Sequence, residues 1–369
     1  LSQIDLAGYR FDAGPSLFTL PKLVDELFEL AGKNPKDYFN YVRLPEICKY
    51  FWTDGTQLTT HSDPAETASE MAKILGEEEA NIAAFLKGLR QKYEIISELF
   101  LENSLHDLNT WTSKKAMRGY LNIPNLGLFS TMHSYHARRF KHPKTVQLFD
   151  RYATYNGSNP YQTPATLSVI PNLEYNIGAF MPVGGMISIT NSLCQLAKEL
   201  GVEFRMNEKV EEIVTEGQRA VGIKTAKGIF AFDHVASNMD IRPSYKNLLP
   251  QIQAPKKLLN QERSSSGVIF YWGMNRKFDA LGVHNIFFSD HYQEEFKSIF
   301  EKKTLLDDPT IYLHISSKVA TEDAPEGCEN WFTFINTPNN SGQDWDQLVK
   351  EAKERIVFMG NLREKLEHK

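Results

Sequence analysis

The chain has 369 residues, of which 41% are apolar and 24% charged, enough for two packed cores or for one α/β domain carrying an inserted second one. A formal net charge of −5 without a basic stripe argues against nucleic-acid binding as the main role. Three distant cysteines, Cys48, Cys194 and Cys328, lack C-x-x-C spacing and support neither a disulfide framework nor a zinc site, which points to a reducing compartment.

The segment from Gly8 to Leu17 reads as a strand ending in a Gly14-Pro15 turn, and Pro21 then opens a helix through Leu23, Leu27 and Leu30. Alternation between Ile47 and His61, centred on Asp54-Gly55, predicts a β-hairpin. From Asp63 to Phe140 the pattern is helical and reads as an insertion. Within it, apolar residues from Met117 to Met132 are flanked by Lys114, Lys115, Arg118, Arg138, Arg139 and Lys141, a pattern that suits a lid packed on the body or a patch on a membrane surface. Pro182-Val-Gly-Gly-Met then leads into an amphipathic helix ending at Leu200-Gly201, and Gly184-Gly185 lets the backbone approach a neighbour closely. Short strands are predicted at 202–206, 210–214, 220–225 and 229–232, and a helix-like stretch at 245–249. Further strands at 266–273, 284–289, 310–316 and 331–337 read as an antiparallel sheet.

Most catalytic signatures are absent. No H-E-x-x-H or comparable spacing supports a metal, and His133 with His136 reads better as a structural pair. There is no G-x-S-x-G elbow, no G-x-x-x-x-G-K-[ST] loop and no G-x-G-x-x-G turn. The run Asp150-Arg-Tyr-Ala-Thr-Tyr-Asn-Gly mixes tyrosines, one arginine and small residues, the composition either of an apolar cavity with a few polar groups or of a helix end stopped by Asn156-Gly157.

Six motifs in order, Gly8-Tyr-Arg-Phe-Asp-Ala-Gly-Pro-Ser, Tyr152-Ala-Thr-Tyr-Asn-Gly-Ser-Asn-Pro-Tyr, Pro182-Val-Gly-Gly-Met, Gly201-Val-Glu-Phe-Arg-Met-Asn-Glu-Lys-Val, Ser237-Asn-Met-Asp and Ala324-Pro-Glu-Gly-Cys, resemble the bacterial-type phytoene desaturases and the related hydroxycarotenoid desaturases. The Tyr152 to Pro160 wording is closer to the branch acting on end-modified carotenoids. The resemblance implies an α/β (mixed α+β) fold: a partial Rossmann-like FAD-binding domain at 1–20 and 178–245, a substrate domain with a mixed or antiparallel sheet at 45–62 and 246–345, and a helical insertion or lid at 63–177. It implies noncovalent FAD, a lipophilic polyene substrate and peripheral contact with the cytoplasmic face of the inner membrane. The family's G-x-G-x-x-G unit would precede Leu1 and a last glycine-rich flavin segment would follow Lys369, so the expectation is that material is missing at one or both ends.

Carried over by position, Gly14, Pro15 and Ser16 would lie by the flavin ring, with Gly184 and Gly185 on the return toward it. Val210 would face the adenine, and Asn238 and Asp240 would end the strand re-entering the FAD domain. Removal of a hydride from an allylic carbon leaves cationic character that a polyene delocalises, so the protein mainly aligns, excludes water and accepts a proton. Asp150, Arg151, Tyr152 and Tyr155 are the candidate polar groups for that role, without a choice among them. The alternatives are an isoprenoid carrier like the Rab GDP dissociation inhibitors, or a polyene saturase or amine oxidase on the same fold.

Overall fold

The computed structural model describes residues 1–100, 103–104, 107–112 and 127–367. Two compact units are present, one of Leu1–Cys194 with Ser264–Lys369, the other of Gln195–Arg263.

The first unit is organised by a six-stranded sheet whose strands run, edge to edge, 266–274 (β10), 329–337 (β13), 311–314 (β12), 284–287 (β11), 46–51 (β4) and 57–61 (β5). The predicted hairpin is β4 (Glu46–Phe51) with β5 (Gln57–His61), and its turn is held where Asp54 Oδ1 accepts the Thr56 amide at 3.0 Å. The later strands β10 (Ser266–Met274), β11 (His284–Phe287), β12 (Ile311–His314) and β13 (Glu329–Thr337) pair antiparallel with one another. A parallel seam between β11 and β4, with Asn285 opposite Lys49, joins them to the hairpin and makes the sheet mixed.

Helices cover one side of this sheet. Helix α2 (Pro64–Leu75) starts where Asp63 accepts the Ala65 amide at 2.9 Å and stops at Gly76, which takes a left-handed conformation. With α3 (Glu79–Phe100), α5 (Met132–Arg139) and α6 (Pro143–Asp150) it shares a core with β4 and β11, in which Tyr50, Trp52, Met71, Leu86, Phe149 and Phe288 are buried. The short helix α4 (Leu108–Thr112) lies between α3 and α5 in the chain. Residues 113–126, which hold much of the predicted apolar and basic stretch, lie outside the described residues.

The segment at the chain's start forms a hairpin, β1 (Ser2–Leu6) with β2 (Tyr9–Ala13), of which only the second strand was predicted. After β2 come α1 (Lys22–Leu30) and β3 (Tyr41–Arg43), the latter paired with β6 (Phe180–Pro182). The long helix α9 (Trp345–Glu367), which charged residues hid from the periodicity, lays Leu348, Ala352 and Ile356 against Val268 and Ile335.

The second unit holds a three-stranded antiparallel sheet, β7 (Val210–Glu216), β8 (Arg219–Thr225) and β9 (Gly228–Ala231). The strand predicted at 202–206 does not form. No strand pairs with it among the described residues, so its amides and carbonyls have no ladder, and Met206 stands 77% exposed. The helix-like stretch near 245–249 is a short π-helical turn, Ser244–Leu248.

Candidate active site

Two glycine turns about 170 residues apart in sequence are bound together inside the first unit. Arg10 on β2 donates through Nη2 to Asp12 Oδ1 at 2.7 Å and to the Gly184 carbonyl at 3.1 Å, and through Nη1 to both oxygens of Asp323 at 3.2 and 3.1 Å. Asp12 Oδ1 also accepts the Met186 amide at 3.0 Å, just before helix α7 (Ile187–Glu199). Gly185 has φ of 77°, and a Cβ there would fall 1.8 Å from Arg10 Nη2. Glycine is therefore required by backbone and neighbour together. Gly14 has φ of 133°, and a Cβ added to it would meet no atom within 4 Å. The backbone at Gly14 is thus open on the side a Cβ would occupy, which leaves room for a flat ring to approach the Gly-Pro turn.

From that turn, Pro15 and Ser16 enter the wall of a cavity of about 310 Å³. Strands β4, β11, β12 and β13 supply Ile47, Cys48, His284, Ile286, Tyr312, Phe334 and Asn336, and α8 (Tyr292–Lys297) supplies Tyr292, Glu295 and Phe296. Ser16 Oγ and Tyr312 Oη are 2.9 Å apart, and His284 Nδ1 lies 2.7 Å from the same phenol. Burial, with smaller contributions from His314 and Arg151, holds His284 well below the usual imidazole range, so the ring is neutral. Burial pushes the Cys48 thiol up to about 12, which makes it unreactive. Glu295, 2% exposed, accepts the Thr310 amide at 2.9 Å and its hydroxyl at 2.7 Å. Desolvation nevertheless raises its carboxyl to about 7.

The sequence-predicted polar residues separate. Arg151 and Tyr155 line the cavity. Tyr152 is fully buried behind them and, like Tyr155, donates its hydroxyl to Glu174. Asp150 is not among the lining residues: its two oxygens meet His133 Nδ1 at 2.6 Å and His136 Nδ1 at 2.7 Å, on a different cavity of about 550 Å³. The hydrogen bond to Asp150 raises the pKa of His133, while burial lowers that of His136. Gly14, Pro15, Ser16, Gly184 and Gly185 lie together in the first unit. Val210 opens β7 in the second unit, where Asn238 is exposed and Asp240 accepts the Arg242 amide at 2.9 Å.

Glu174, Glu295, His284 and Tyr312 also line the cavity, and nothing in the sequence marks them for it. Glu174, 2% exposed, sits 3.9 Å from Arg151, and burial raises its carboxyl against the opposing pull of Arg151 and Tyr152. The signal available was weak: Glu294-Glu295 reads as a solvated helix face, and Glu174 sits in Pro-Asn-Leu-Glu-Tyr-Asn without periodicity.

Glycine turns bound to a strand end and a largely apolar cavity lined by a mixed sheet are compatible with a flavin-dependent oxidoreductase, the class that the family match supplies. Residues 2–303 match the family model of flavin containing amine oxidoreductases, and the chain belongs to that family. FAD is its cofactor, and the open space at Gly14 is compatible with a bound flavin. The chain is 47% identical over 357 residues to a 1-hydroxycarotenoid 3,4-desaturase of Flavobacterium sp. (strain P99-3), covering 97% of this chain and 73% of that protein. It is 32% identical to a 4,4'-diapolycopene oxygenase of Methylomonas sp., over 87% of this chain and 65% of that one. Among solved structures, an oxidoreductase from Methanosarcina mazei shares the fold with a TM-score of 0.59 at 12% identity, over 96% of this chain and 74% of that one. These relatives are enzymes, and the expectation of a noncatalytic isoprenoid carrier gives way to that of an oxidoreductase.

Proposed function

We propose that this protein is an FAD-dependent desaturase that adds a conjugated C=C bond to a carotenoid carrying an oxygenated end. The observation that carries the reading is the cavity itself: a largely apolar space that begins at Pro15 and Ser16, just after Gly14, and lies in a chain 47% identical to a 1-hydroxycarotenoid 3,4-desaturase. The cavity shares Thr154, Tyr155, Phe334 and Asn336 with a second space of about 420 Å³, and Tyr292 with the third of about 550 Å³. A long linear polyene is accommodated by such consecutive spaces better than by a single pocket.

FAD, when bound, supplies the acceptor for a hydride. The chain supplies the rest. Gly14, Pro15, Gly184 and Gly185 would hold the ring against backbone, and Ile47, Ile286, Phe296 and Phe334 orient the polyene and exclude water. The second hydrogen leaves the adjacent carbon as a proton while its bonding electrons become the new π bond. Glu295 is the acceptor we assign, through a carboxylate oxygen, because its pKa of about 7 matches a general base near neutral pH. Arg151 stays protonated and cannot serve.

Peripheral attachment to the cytoplasmic face of the inner membrane belongs to the same proposal. Leu108, Leu128 and Phe129 stand exposed, Phe129 by 93%, and Arg138, Arg139 and Lys141 are exposed as well, the residue types that an interfacial surface combines. No helix among the described residues is long and apolar enough to cross a membrane. The test is incubation of the FAD-loaded protein with a hydroxylated carotenoid and chromatography of the product; a product with one more conjugated double bond supports the proposal, and unchanged substrate with fully oxidised flavin refutes it.

A further inference from the structure

The cavity contains a group that a pure hydrocarbon could not use. The Arg151 side chain is 9% exposed, and its five N–H donors have one long hydrogen bond among the described residues, from Nη2 to Tyr50 Oη at 3.4 Å. Nε is buried without a partner among the described residues, and the one side-chain hydrogen bond of the guanidinium there is that of Nη2. The guanidinium is held in place by the faces of Tyr152 and Tyr155, at 4.6 and 5.4 Å from the ring centres. A buried cation with unsatisfied donors costs free energy unless something in the cavity accepts from it. Glu174 already provides the counter-charge at 3.9 Å, so the missing partner is a neutral oxygen acceptor rather than a second anion.

We infer that Arg151 anchors an oxygen atom carried near one end of the polyene, and thereby decides which carbon–carbon bond stands beside the Gly14–Ser16 turn. The inference rests on the desaturase reading above and adds to it a specificity-determining residue. Arg151 acts through hydrogen bonding, and the proton moves elsewhere. Tyr155 and Glu174 fix the guanidinium, so that an end group bearing a hydroxyl is held at one distance from the reacting bond.

The test uses the FAD-loaded protein and three polyenes of equal length in detergent micelles: a terminal tertiary alcohol, its methyl ether and the parent hydrocarbon. Binding is followed by quenching of tryptophan fluorescence. Because an ether oxygen still accepts from a guanidinium, alcohol and ether are expected to bind roughly tenfold to a hundredfold tighter than the hydrocarbon, the range for a hydrogen bond to a charged group. Arg151→Met is expected to reduce that ratio to about twofold or less. Arg151→Lys, which keeps the charge and the solubility of the site, serves if the methionine variant does not fold, and is expected to lose most of the ratio because one ammonium does not reproduce the fork. Equal binding of hydrocarbon and alcohol by the wild type, or an undiminished ratio in a folded Arg151 variant, overturns the inference. If all three polyenes bind and are desaturated without preference, the desaturase reading stands and this inference falls alone; if none binds, both fall.

Discussion

Glu174→Gln tests the buried charge arrangement in the cavity wall, which Glu174 and Arg151 line together. The carboxylate of Glu174 is 3.9 Å from the Arg151 guanidinium and accepts from Tyr152 and Tyr155, while no other carboxylate pairs with Arg151 among the described residues. At that separation and an effective dielectric constant of about 20, Coulomb attraction is about 4 kcal/mol. Removing one partner of a buried pair costs about 3–5 kcal/mol, because the other charge stays in low dielectric. Glutamine keeps the shape and one acceptor, so most of the loss is electrostatic, and roughly 4 kcal/mol is expected against a total stability of about 5–15 kcal/mol. The melting temperature should fall by on the order of 10 °C, measured by circular dichroism of the FAD-loaded protein at neutral pH. The double variant with Arg151→Met should melt higher than the sum of the two single effects predicts, since the orphaned cation is then gone. A fall of less than about 2 °C for Glu174→Gln, or strict additivity in the double variant, would refute the assignment of Glu174 as the counter-ion.

Glu295 gives a pH signature. Its folded pKa of about 7 exceeds the ordinary carboxyl value, so the stability it contributes is fully present below about pH 4.5 and is lost as pH rises toward 7, by about 3 kcal/mol. Urea unfolding at pH 5 and pH 8 should show that loss in the wild type and not in Glu295→Gln, and the turnover of the variant should lack the rise through pH 7 that deprotonation of this base produces. Asp150→Asn removes the acceptor shared by His133 and His136; the His133 pKa, raised by that bond, should drop toward its ordinary value in proton NMR. Since a raised histidine pKa stabilises below about 6.5 and the benefit disappears as pH rises through the folded value, the variant's melting deficit should be larger at pH 5 than at pH 8; an equal deficit at both would discount the His133 pair. Gly185→Ala places a methyl against Arg10 in a left-handed backbone, and FAD affinity by equilibrium dialysis should fall at least tenfold; unchanged affinity would separate this turn from the cofactor.

Alternation and turn chemistry made much of the fold legible in the sequence. The β4–β5 hairpin, the strands β10 to β13 and the helix after Gly185 follow local patterns that the packing reinforces. Elements without a local signature were not: β1 is mostly exposed, and α9 carries too many charges to show its apolar face. The 202–206 segment shows the reverse, β-like residues without a partner strand among those described. At the site, glycine and proline punctuation marked both turns, and the Arg151 and Tyr155 pair could be read from composition. Glu174, Glu295 and His284 could not, because a buried acid or imidazole looks the same as an exposed one until neighbouring strands close around it.

The most direct measurement follows the FAD-loaded protein under anaerobic conditions with one equivalent of a hydroxylated carotenoid, recording flavin and polyene absorption together. Desaturation by the bound flavin should bleach the visible band of the oxidised flavin in step with a shift of the polyene bands to longer wavelength, as one double bond joins the conjugated system. Flavin that stays oxidised while the carotenoid is bound would contradict it.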